Sequence, residues 1–301
     1  MKKIILIGMV SALLGATLSA HAAVNILACE PEWGALAQEL GGDQVTIYTA
    51  TNALQDPHQI QARPSLIARA RSAELLVCTG SELEVGWLPI LLRQSSNAKI
   101  QPGQPGNFEA AAYVQKLEVP TRLDRAEGDV HPGGNPHIQT DPRNFLPVAQ
   151  ALSQRLAQLD PTQAAYFSAR HQAFVTRWQA AIRRWEILAA PLKGMPIVVQ
   201  HKGFPYLEHW LGLHEVATLE PKPGVEPNSG YLAQVLAALQ HQPAKMVIRA
   251  AYNDGRASDW LTEHAKIPSV VLPFTVGADA QSKDLFALFD VTVQRMLGAL
   301  K

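Results

Sequence analysis

The segment PTQAAYFSARHQAFVTRWQAAIRRWEIL, residues 161–188, decides the architecture of this chain. After Pro161 it holds neither proline nor glycine, and alanine, glutamine and arginine, which cost little in a helix, fill most of its polar and small positions. Its large apolar residues, Tyr166, Phe167, Phe174, Trp178, Ile182 and Trp185, recur at helical spacing. About 27 residues at 1.5 Å each make a helix of roughly 40 Å, longer than one small domain is deep. Such a helix runs across both halves of a molecule.

The sequence on either side alternates in kind. Before the segment, the β-branched and apolar runs 24–28, 45–49 and 75–79 are separated by helical patterns at 33–40, which Gly41-Gly42 stops, and at 64–73, which opens on Pro64. Asp141 followed by Pro142 reads as the start of a further helix through Leu146, Ala149, Leu152 and Leu156. After Pro191 and Gly194, strand-like runs recur at 197–200, 215–219, 246–249 and 270–272. Helical patterns follow at 230–240, with Ser229 as the expected cap, and at 257–265 and 284–300. Alternation of this kind predicts βαβ units and parallel sheets. The expected fold is therefore α/β, two α/β domains with parallel central sheets linked by one long helix. A leader at 1–22 precedes an N-terminal domain at 23–160; the linking helix is placed at 161–190 and a C-terminal domain at 191–301.

The leader has the form of a secretory signal peptide. Lys2 and Lys3 precede the uncharged apolar stretch 4–18, and Ala20-His21-Ala22 is a small-x-small cleavage signal. The stretch is too short for a membrane span. Export to the periplasm follows, with Ala23 as the mature N-terminus. Lysine plus arginine and aspartate plus glutamate number 26 each. Losing Lys2 and Lys3 leaves the mature chain near a charge of −2, with no basic patch for nucleic acid and no basic amphipathic helix for a membrane surface. Cys29 and Cys78 each follow a strand-like run, and an even pair in an oxidising compartment suggests one disulfide. If the two runs are neighbouring parallel strands, their ends lie about 5 Å apart, within bonding reach. Two buried free thiols are the alternative. Ile26-Leu27-Ala28-Cys29 also has the outline of a lipid-attachment site, although Asn25 and His21 break the apolar stretch such a site needs.

Three of the histidines stand out. His58, in Asp56-Pro57-His58, lies in the loop after the second strand, and open α/β sheets bind ligands beyond the C-terminal ends of their strands. His137, in Asn135-Pro136-His137, repeats the proline–histidine pairing, with Asp141 expected to cap the next helix. His201 directly follows the strand run 197–200. Their wide spacing suits a site assembled between domains. His131, His171, His209, His214, His241 and His264 are read as surface or core residues, His131 in an exposed loop.

Asp56-Pro57-His58 with Pro64-Ser65, Asn135-Pro136-His137 with Asp141-Pro142-Arg143-Asn144, and His201-Lys202-Gly203-Phe204-Pro205-Tyr206 together resemble the cluster A-I solute-binding proteins, the zinc- and manganese-binding receptors of ABC importers. The resemblance covers essentially the whole mature chain. It implies two α/β domains bridged by a rigid helix, a metal in the cleft between them, and His58, His137 and His201 as ligands. In that family a third histidine marks zinc receptors and a glutamate there marks many manganese ones, so His201 favours Zn2+, carried as cargo. Imidazole suits zinc, whereas carboxylate suits manganese. The fourth ligand is commonly an aspartate after the last strand; Asp279 is the nearest candidate, Asp284 its rival, and a glutamate or water a further alternative. Zinc members often carry a long histidine-rich loop before the second ligand, but here residues 122–134 hold only His131. The implied partners are a membrane permease of an ABC importer and a periplasmic metallochaperone, with the chain itself a monomer. The competing functions are a zinc-dependent hydrolase with an open metal position and a manganese-binding receptor or adhesin. Against the hydrolase, the sequence has no His-Glu-x-x-His, no Gly-x-Ser-x-Gly and no glycine-rich phosphate loop, which leaves Asp56 as its only nearby base.

Overall fold

A computed structural model describes residues 23–122, 128 and 130–301; the expected leader at 1–22 lies outside the described residues. The N-terminal half is a four-stranded, all-parallel sheet of β1 (Val24–Ala28), β2 (Val45–Thr49), β3 (Leu75–Cys78) and β4 (Asn107–Glu109), in the order β2-β1-β3-β4. Helices α1 (Pro31–Gly41), α2 (Pro64–Ser72) and α3 (Leu88–Ser95) connect and flank the strands. The C-terminal half repeats the plan with β5 (Pro196–Val199), β6 (His214–Thr218), β7 (Met246–Ala250) and β8 (Ser269–Leu272), again parallel and in the order β6-β5-β7-β8.

Between the sheets lie α4 (Phe145–Leu159) and α5 (Ala164–Ala189); α6 (Pro205–Leu211), α7 (Ser229–Leu239), α8 (Arg256–Ala265) and α9 (Leu285–Gly298) belong to the second half. The segment quoted above forms α5, 26 residues and ~39 Å long. It starts three residues later than its first proline, because Asp160 accepts from the Thr162 amide and tightens Pro161–Gln163 into a 3-10 turn. Its buried face carries Phe167, Phe174, Trp178, Ile182 and Trp185. Trp178 packs within 5.3 Å of the Phe145 ring on α4 and 5.6 Å of Phe289 on α9, and Trp185 lies 5.1 Å from Phe289. Each indole N–H is satisfied, Trp178 by the Pro142 carbonyl at 2.7 Å and Trp185 by Asp290 at 2.6 Å. One continuous apolar cluster therefore runs from β1 and β3 through α4, α5 and α9 to β5 and β7.

The neighbouring strand ends bring Cys29 and Cys78 together as a disulfide, with Cα atoms 4.8 Å apart and a sequence separation of 49. Three elements exceed the sequence reading: β4, α3 and α6. All are too short to show a period, and β4 is held by pairing Leu76–Cys78 against Asn107–Glu109. The expected cap Ser229 is instead the first residue of α7. The extended Asn228 before it accepts from the Tyr231 amide, as a capping side chain must. No helix among the described residues is long and apolar enough to cross a membrane.

Candidate metal centre

Three loops at the C-terminal edges of the two sheets converge in the cleft. The first follows β2. Asp56 accepts from the His58 amide at 3.0 Å, closing a turn around Pro57, and from His58 Nδ1 at 2.7 Å. Trp87 then anchors the loop by donating to the Pro57 carbonyl at 2.9 Å. The second loop is stitched by Asn135, whose Oδ1 accepts from the His137 amide at 3.0 Å. Its Nδ2 donates to the Lys202 carbonyl of the other half at 2.8 Å, and Tyr206 donates to its carbonyl oxygen at 2.8 Å. The third begins where β5 ends: His201 Nδ1 pairs with Glu220 Oε2 at 2.7 Å, and the Gly224 amide donates to the same oxygen at 2.8 Å.

The result brings His58, His137 and His201 together, with one ring nitrogen of each lying within 4.8 Å of the others. Their ring centroids stand 5.3–5.8 Å apart. His58 Nε2 and His137 Nδ1 are buried without a hydrogen-bond partner. Carboxylates on the Nδ1 atoms of His58 and His201 fix the tautomer that leaves Nε2 free to bind. Burial holds His137 well below its ordinary pKa, and the neighbouring His58, His201 and His131 push in the same direction. The ring is therefore neutral and able to ligate. Burial alone would raise the Asp56 carboxyl, but its hydrogen bonds to the His58 ring and amide, together with the charges of His58 and His201, outweigh this and hold it below the usual range. Phe274 forms a wall at 5.3 Å from the His137 ring and sits at φ +66°, a backbone region costly for so bulky a residue. Gly203 makes room for it, since a Cβ there would lie 3.1 Å from the Phe274 ring.

Asp279 is not brought to the three rings. Its carboxylate is taken by Arg295 of α9 and by the Gln281 and Ser282 amides. Asp284 accepts from the Ala287 amide as the cap of α9, and Asp141 accepts from the Arg143 amide as the cap of the 3-10 turn Pro142–Asn144 that leads into α4, rather than of α4 itself. Asp56, the base the sequence offered to a hydrolase, is occupied with His58. The residue that the sequence reading missed is His131. Its ring centroid lies 5.4 Å from that of His58, and it is half-buried rather than exposed. Burial, then the charges of His58 and His201, lower it to about 4. With Glu118, Asn135, His137, His201 and Lys202, it lines a cavity of about 210 Å3 at the cleft mouth. The available signal was His131-Pro132, a third histidine–proline neighbour in a loop turned back by Gly134 at φ +93°. The remaining histidines stay apart: His264 stacks on Trp260, and His209 meets Arg143.

Residues 26–299 match the family described as zinc-uptake complex component A, periplasmic (ZnuA). The zinc-binding lipoprotein AdcA of Streptococcus pneumoniae is 23% identical over 202 residues, covering 66% of this chain and 39% of that protein. The high-affinity zinc uptake system protein ZnuA of Yersinia pestis is 24% identical over 213 residues, 64% of each chain. In both cases the match spans less than two thirds of the relative's own length. A crystal structure of ZnuA superposes with a TM-score of 0.77 at 21% identity, covering 93% of this chain and all of that one.

Proposed function

We propose, from the premise that this chain belongs to the family of periplasmic zinc-uptake component A proteins, that it captures zinc in the cleft and delivers it to a membrane permease of an ABC importer. The observation that carries this reading is the cluster of three imidazoles, two of them buried, with one ring nitrogen of each within 4.8 Å of the others. A component of an uptake complex carries its ion unchanged, and Asp56, the base nearest His58 in sequence, is engaged in orienting that ring rather than placed to activate a metal-bound water. Nitrogen donors favour zinc over manganese, because manganese prefers carboxylate and water.

His58, His137 and His201 are the proposed ligands. His131 closes the fourth position in preference to Asp279, since it already faces the cavity while Asp279 is engaged by Arg295. Four neutral nitrogens and no bound anion leave the full charge on the metal, a softer hold than a carboxylate gives and one suited to reversible transfer. The protein acts as a monomer in the periplasm and receives zinc from a metallochaperone or from the free pool. The test is metal content and zinc titration of the mature protein beside His58→Ala, His137→Ala, His201→Ala, His131→Ala and Asp279→Asn. One zinc per chain is expected, weakened by each histidine substitution and untouched by Asp279→Asn. If the roughly 10–16 kcal/mol of a four-ligand zinc site is shared evenly, each ligand is worth about 2.5–4 kcal/mol, on the order of a hundred- to a thousandfold. Zinc binding unchanged in all the histidine variants would refute the reading.

A further inference from the structure

Below the histidines, on the same interdomain seam, lies a second chamber of about 20 Å3. Its walls come from both halves: Glu30 and Glu32 at the start of α1, Thr51 after β2, and Tyr252 and Thr275 from the C-terminal half, with Gln139 from the segment between. The volume admits one water-sized species. Glu30 and Glu32 are 4% and 1% exposed, and Glu84, 2% exposed, lies beside them. Glu84 accepts from the Thr79 and Gly80 amides and shares a side-chain hydrogen bond with Glu30. Glu30 Oε2 accepts from the Thr79 hydroxyl at 3.1 Å, and Glu32 Oε2 accepts from Thr275 across the seam.

Two oxygens in the chamber wall still have no N–H or hydroxyl donor. Glu30 occupies the N-cap position of α1, yet its side chain makes no capping bond, and its Oε1 is buried without a partner. Gln139, 3% exposed and belonging to no acidic cluster, lines the same chamber with its Oε1 likewise buried and unpartnered. No lysine or arginine is among the groups that act on Glu30, Glu32 or Glu84. A buried carboxylate without a basic partner is either protonated or matched by a cation. Carboxylate, amide and hydroxyl oxygens on several sides of a water-sized space suit a hard cation of the calcium class.

We propose that this chamber is a second cation site, binding a hard divalent ion such as Ca2+ through Glu30, Glu32 and Gln139 on one side of the seam and Thr275 on the other. The site differs in kind from the nitrogen-lined one above it and does not depend on zinc being the cargo there. The ion ties the two halves together directly beneath the histidine loops, because Gln139 stands two residues from His137 and Pro57, also in the wall, adjoins His58.

The experiment is a calcium titration of the mature, zinc-loaded protein, first stripped of calcium, by equilibrium dialysis and calorimetry, with melting temperature followed in parallel. One saturable calcium per chain is expected, together with a rise in melting temperature. Both are lost in Glu32→Gln, and calcium uptake is retained in His58→Ala, whose zinc site is impaired. Zinc-loaded wild-type protein that takes up no calcium overturns the proposal whatever the variants do, and so does uptake that Glu32→Gln leaves unchanged. If Glu32→Gln does not fold, Thr275→Val removes a neutral donor from the opposite wall and decides in its place. The separate fates of the His58→Ala and Glu32→Gln proteins distinguish failure of this site from failure of the zinc reading.

Discussion

β1 and β5 hold the same place in their sheets, each between its flanking strand and the third strand of its half, yet they end in different chemistry. β5 runs into Gln200-His201 and delivers an imidazole to the cleft. β1 runs into Cys29-Glu30 and delivers a disulfide and a buried carboxylate. In the N-terminal half the imidazoles come instead from loops, His58 after β2 and His137 before α4. The means of support differ accordingly. Both cysteines lie in the N-terminal half, so its central strands are pinned covalently. In the C-terminal half the single proposed ligand, His201, is oriented by Glu220, from the loop after β6. The comparison teaches that the C-terminal edge of a parallel sheet is a general ligand platform. What each edge presents is set by the one or two residues beyond the strand, and each half stabilises its edge by separate means.

Removing the covalent pin is the most damaging way to test that contrast. Closing a loop of 49 residues is worth ~4 kcal/mol in the chain-entropy account, so Cys29→Ser with Cys78→Ser should lower unfolding free energy by about that much in denaturant titrations. Zinc binding in the surviving folded protein should change little, since none of the four proposed ligands is on β1 or β3. A large loss of zinc affinity would show that the pin serves the site rather than the sheet.

The buried acids beyond β1 give the next largest effect, in the protein stripped of calcium. Burial raises Glu32 from its ordinary 4.5 to about 7, and it raises Glu30 and Glu84 in the same direction; Tyr252 faces the same space and stays neutral. Between pH 4.5 and 7 the folded chain therefore keeps a proton that the unfolded chain has released. Stability should fall as pH rises through that window and level off above it, by on the order of 2–3 kcal/mol for Glu32. Melting curves of Glu32→Gln should show a shallower pH dependence; parallel profiles would remove Glu32 from the explanation.

The carboxylates behind the rings come next. Glu220→Gln and Asp56→Asn should each weaken zinc roughly 10- to 100-fold, the usual cost of losing a ligand's outer partner. Glu220 should matter more, because its side chain is 9% exposed against 39% for Asp56. Equal losses in a zinc competition assay would erase the asymmetry between the halves. The smallest effect belongs to Asp279→Asn. Its pairing with Arg295 is half-exposed, so chemical denaturation should register a cost of ~1 kcal/mol or less.

Legibility in the sequence followed the range of the interactions. The long helix was readable because its pattern is local and unbroken. His58 and His137 were readable because a proline fixes each approach, and His201 because it follows a strand. His131 was not, since its loop is polar throughout and only the fold turns it toward His58. Asp279 looked available because Arg295, which holds it, lies a helix away in sequence. Glu220 went unnoticed for the same reason: its partner stands 19 residues earlier and nothing near it signals a pairing. Asp56 was visible only as a base, and its hydrogen bond to His58 shows it to be the orienting partner.

The aromatic seam along α5 has a calorimetric consequence. Phe174, Trp178 and Trp185 belong to the same apolar cluster as both central strands, β1 and β5, so although the outer face of each sheet packs on a smaller cluster of its own half, the inner faces share one core built on this helix. Melting one half would strip the other of its inner wall. By sheet topology the chain divides in two, but by heat it should behave as one cooperative unit, with a single endotherm whose van't Hoff and calorimetric enthalpies agree. Such a molecule has little freedom to open by loosening one half, so on the proposed function zinc should leave it through the loops.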